Sequence, residues 1–68
     1  MVSARTRSLL LEEISRYQQE VGYAPTVREL AAAVGVPVST VQYHLTRMIK
    51  DGLVRRDSGK SRSVRVVA

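Results

Sequence analysis

The sequence predicts a mainly α-helical fold in which three helices are closed by a small β-hairpin. Three observations carry that expectation. Two apolar-periodic runs with helix-start signals, at about residues 27–34 and 40–51, are separated by the joint Gly35-Val36-Pro37-Val38. Ala31, Gly35 and Val41 stand four and then six residues apart across that joint. Beyond Gly52 the pattern changes: Leu53-Val54-Arg55-Arg56 and Arg62 to Val67 read as two short strands around Asp57-Ser58-Gly59-Lys60-Ser61.

The first helix is expected from about Ala4 to Val21, with Ser3 as its cap and Leu10, Ile14, Tyr17 and Val21 along one face. Gly22 ends it. Leu9 and Leu11 widen the apolar face, leaving a strip through which two copies of the chain can meet. Tyr23-Ala24-Pro25 is an extended joint into the second helix, about Val27 to Val34. There Thr26 and Glu29 form a capping box, each side chain accepting from the other's backbone N–H. Val27, Leu30, Ala31 and Val34 should face inward. Ser39 and Gln42 have the same box spacing, and Pro37 discourages the second helix from running on. The third helix, about Thr40 to Asp51, should bury Val41, Leu45, Met48 and Ile49 before stopping at Gly52.

The spacing of Ala31, Gly35 and Val41 meets the demands of a helix-turn-helix. Two helices crossing at a steep angle over a short turn need a small residue at closest approach, a residue tolerant of positive φ past the first helix, and an apolar contact from the second. The helix-turn-helix occupies about residues 27–51. A hairpin after it, about 53–67 with Val64 and Val66 on one face, is a wing. The chain therefore reads as one winged helix-turn-helix domain, 1–68.

Composition narrows the function. Sixty-eight residues leave a core too small for an ordinary buried catalytic cleft. Without cysteine there is no disulfide, thiolate metal site or thiol nucleophile. No apolar run approaches the ~20 residues of a membrane span, and the start, Met-Val-Ser-Ala-Arg, has no signal-peptide core, so a cytoplasmic location is expected. His44, the single histidine, falls between inward Val41 and Leu45, where a half-buried packing role or a phosphate contact is expected rather than catalysis. Glu12 and Glu13 point about 100° apart on a helix and do not form an acid/base couple. No enzyme activity, metal or cofactor is expected.

The net charge of +5 is one-sided. Residues 1–34 hold four arginines against four glutamates, whereas residues 35–68 hold seven cations against two aspartates. An excess that begins at the second half of a helix-turn-helix points to a polyanion. Double-stranded DNA is the expected partner, with the third helix in the major groove. Ser39, Thr40, Gln42 and Tyr43 point away from the core there; Gln42 suits adenine and Thr40 a base edge or a thymine methyl. Thr26, Arg28 and Arg47 are placed for phosphates, and Lys60 and Arg62 carry the wing to the backbone or the minor groove. The alternative is a winged-helix protein-interaction or dimerisation module.

The run Gly22-Tyr23-Ala24-Pro25-Thr26-Val27-Arg28-Glu29-Leu30 resembles the G-[YM]-x-P-T-x-x-E-[IL] segment that opens the helix-turn-helix of the LexA family of SOS-response repressors. The stretch from Asp51 to Ser58 and the stretch from Arg62 to Val67 are similar to the hairpin of that family. The resemblance implies a winged helix-turn-helix DNA-binding domain of a bacterial or phage repressor. It also marks departures: Gln42 and Tyr43 stand where the enterobacterial-type recognition helix has an acidic pair. The family's second domain, with its Ser/Lys self-cleavage dyad and main dimer contacts, has no counterpart in these residues, so no self-cleavage is expected.

Overall fold

A computed structural model describes residues 4–57 and 62–67. Helix α1 spans Ala4–Arg16 and continues as a π-helical turn, Tyr17–Val21; α2 spans Val27–Val34 and α3 Val38–Lys50. Strands β1 (Val54–Arg55) and β2 (Arg65–Val66) pair antiparallel, with Val54 opposite Val66 and Arg55 opposite Arg65. Among the described residues no helix is long and apolar enough to cross a membrane.

Helix α2 forms as its sequence dictates. Thr26 Oγ1 accepts from the Glu29 N–H at 3.0 Å, and Glu29 Oε1 accepts from the Thr26 N–H at 2.9 Å. Its far end closes on Gly35 at φ 79°, with the Gly35 and Val36 amides both donating to Ala31 O. That double closure needs a left-handed residue, which is why a glycine stands there. Gly52 does the same for α3: at φ 80°, it lets the Leu53 amide donate to Met48 O and the chain turn directly into β1.

The core is a single cluster of Leu10, Ile14, Leu30, Ala31, Val41, Leu45, Met48, Val54 and Val64. One stripe from each helix and one residue from each side of the hairpin meet in it. A fully buried Leu, Ile or Met contributes about 1.5–3 kcal/mol, so in so small a core each of these side chains matters.

Four expectations are corrected. The first helix does not stay α-helical to Val21; Gly22 N–H donates to Tyr17 O, five residues back. The wider turn rotates the segment, so Tyr17 and Val21 are half-buried, while Gln18 Oε1 accepts from the Val66 N–H of β2. The third helix begins at Val38, two residues before the expected Thr40, and the turn shortens to Gly35–Pro37. Pro37, with its φ of −63°, is the cap, its carbonyl accepting from the Thr40 and Val41 amides, and Ser39 makes no capping bond. Ile49 is 40% exposed, because the stripe of Val41, His44, Leu45 and Met48 fills the inward face and Ile49 lies about 100° round from Met48. The strands are shorter than expected, two residues each. The Ser3 cap and the Ser58–Ser61 part of the hairpin loop, with Lys60, lie outside the described residues.

Candidate nucleic-acid interface

The outward face of α3 holds the expected reading residues. Ser39, Gln42 and Tyr43 are exposed and Thr40 half-buried, all in the first two turns. Thr46 Oγ1 donates to Gln42 O, satisfying its hydroxyl within the helix. The Arg47 guanidinium carbon lies 5.8 Å from the centre of the Tyr43 ring, which gives two neighbouring side chains on this face a common orientation.

His44 does not belong to that face. It is 4% exposed, in the inward stripe, and its Nε2 has no hydrogen-bond partner among the described residues. Of the two roles expected for it, packing agrees with this placement, with the ring more deeply buried than expected, and the phosphate contact does not. Burial, reinforced by the cations of Arg7 and Arg47, holds its imidazole pKa below the ordinary value. A neutral ring stacked edge-on to Tyr43, 5.7 Å between centres, supports the reading face from beneath.

The second expected patch is the start of α2. Arg28 is exposed in its first turn. The capping box uses the Thr26 and Glu29 amides, so those of Val27 and Arg28 are the first-turn donors it leaves for an anion.

The structure brings Arg62 to this same helix end, from 33 residues away. Its Nη1 donates to Glu29 Oε1 at 2.8 Å and to Ala24 O at 3.1 Å, and its Nη2 to Glu29 Oε2 at 3.1 Å. The guanidinium carbon lies 4.7 Å from the centre of the exposed Tyr23 ring. Glu29 is held below the usual carboxylate range, first by Arg62 and then by the Thr26 amide.

Two residues that sequence reasoning passed over stand on the wing. Arg55 and Arg65 oppose each other across the strands, both exposed, with no ion pair among the described residues. The alternation of Val54 with Arg55 and of Arg65 with Val66 was the available signal, since residues next to inward valines must face out. Like charges in direct register are unfavourable unless an anion lies over them.

The family model described as the LexA DNA binding domain matches residues 2–63. The chain is 48% identical over 50 residues to a LexA repressor of Clostridium botulinum, an alignment covering 72% of this chain and 25% of that protein. It is 46% identical over 59 residues to the LexA repressor of Caldicellulosiruptor saccharolyticus, covering 85% and 29% respectively. With the LexA repressor of Clostridium acetobutylicum, identity is 44% over 66 residues, covering 91% and 32%. The chain thus spans between a quarter and a third of the length of these relatives. With that match over most of its length, three helices and an antiparallel wing in the expected order, this chain belongs to the LexA DNA-binding domain family.

Proposed function

We propose that the chain is the operator-reading part of a transcriptional repressor, the role that the names of its relatives carry. The observation that carries the reading is the family match over residues 2–63, coinciding with an α3 face whose polar side chains are free of the core. In this reading the first two turns of α3 enter the major groove. Gln42 pairs with adenine through its carboxamide, Thr40 and Ser39 take a base edge or thymine methyl, and Tyr43 lies along the sugar-phosphate wall. Arg28, Arg47 and the Thr26–Arg28 turn hold phosphates and fix the docking angle. Lys60 adds a cation from the segment joining the strands, and Arg62 serves the same interface from the base of the wing. Leu9, which is 37% exposed, is the α1 residue through which a second copy would read a second half-site, whereas Leu11, about 160° round the helix from it, packs against the core and does not share that strip. The cytoplasm is where such a regulator meets its DNA.

Salt dependence tests the reading. A monomer that places four to six cations on phosphates loses duplex affinity with a log–log slope of about −4 to −5. A flat response between low and moderate salt would instead support a protein-interaction module.

A further inference from the structure

We infer that Arg62 is a positioning residue: instead of holding a phosphate, it straps the wing to the first turn of α2 through Glu29. The inference rests on the DNA reading above and assigns this wing cation a role within it.

The wing needs a strap. Its ladder has two residue pairs, and a hairpin of that size has little stability of its own. Apart from its apolar face, two polar contacts between described residues tie it to the helices. At one, Gln18 of the π-helical turn accepts from the Val66 N–H; at the other, Arg62 meets Glu29. The second fixes direction as well as distance, because a planar guanidinium and a carboxylate joined by two parallel bonds have one mutual orientation.

The geometry also argues against a phosphate role for Arg62. Its partner is preset, since the Thr26 amide already holds the Glu29 carboxylate in place. Three of the five Arg62 N–H donors are committed, two to Glu29 and one to Ala24 O, so turning its fork onto a phosphate would give up those bonds and its place over Tyr23 together. The strap ends at the helix turn proposed to hold a phosphate, and it balances the one acidic side chain there. Wing and helix-turn-helix thereby meet the duplex as one body, and the order of the wing is set before binding.

The test is a double-substitution cycle with Arg62→Gln, Glu29→Gln and both together. Glutamine at position 29 keeps a capping acceptor while removing the charge that holds Arg62. Duplex affinity, its salt slope and the hydrogen exchange of the Val66 and Val67 amides are measured for all four proteins. Arg62→Gln alone should weaken duplex binding about three- to tenfold and speed exchange of the wing amides, leaving the α3 amides unchanged. In the Glu29→Gln background, it should change neither affinity nor slope. An equal loss in both backgrounds, with the slope reduced by about one, would make Arg62 a phosphate ligand and overturn the inference. Affinity and exchange identical to the wild type would overturn it as well. A wild-type chain that binds no duplex would overturn the DNA reading, and the inference with it; the other two outcomes overturn the inference alone.

Discussion

Replacing Gly35 with alanine isolates the conformational demand of the turn between α2 and α3. Gly35 sits at φ 79°, and a Cβ built on it meets no atom within 4 Å. Crowding therefore contributes nothing, and the whole effect comes from the backbone. A non-glycine residue in the left-handed region costs about 1–2 kcal/mol. The unfolded chain loses freedom when glycine is replaced, which offsets about 0.4–1 kcal/mol. The net expectation for Gly35→Ala is a loss close to ~1 kcal/mol, and for a domain of this size that lowers Tm by about 4–8 °C. Urea unfolding should show a lower midpoint with an unchanged m-value, since the exposed surface does not change. Gly35→Asn should lose less, because asparagine tolerates this region. A loss above ~3 kcal/mol would mean that the added carbon meets packed atoms. A gain in stability would mean that Gly35 is not held at positive φ, and either result refutes the account of the turn.

Two further substitutions probe the site. The pKa of His44 is depressed by burial, so as pH falls through about 6.5 the unfolded chain takes up the proton first, and stability declines from there toward the folded value. His44→Leu should flatten Tm between about pH 7.5 and 5; an unchanged pH dependence would mean that the ring is not buried neutral. Arg55→Glu turns a like-charge pair into an opposite one across the strands, and should stabilise the hairpin by about 0.2–1 kcal/mol while weakening duplex binding. If thermal unfolding shows lower stability instead, Arg55 and Arg65 do not face each other.

Helix α2 was legible to its ends because its signals are local: the Thr26–Glu29 box, the Leu30 and Ala31 stripe and Gly35 act within four residues of one another. The hairpin and its inward valines were legible from alternation for the same reason. The start of α3 was misread because Ser39 and Gln42 match a capping pattern, while Pro37, already fixed in φ and lacking an N–H, supplies the carbonyl that opens the helix first. The π-helical turn had no local signal; the Gln18 contact it allows is with Val66, 48 residues away. Arg62 and Glu29 were each read by local rules, one as a wing cation and the other as a cap, and periodicity cannot show that they meet. His44 was placed correctly between Val41 and Leu45, but a sequence does not show how closely the neighbouring elements cover a ring.

The central claim is that α3 reads bases, and Gln42→Ala tests it most directly. Binding of the wild type and the variant is measured on the duplex that selection from random sequences enriches for the wild type, and on random duplex at the same salt. Loss of a base-edge partner should cost about 1–3 kcal/mol on the enriched site and leave random duplex almost unchanged, so discrimination collapses while charge-driven affinity survives. Equal weakening on both duplexes, or no change on either, would contradict the docking of α3 in the major groove.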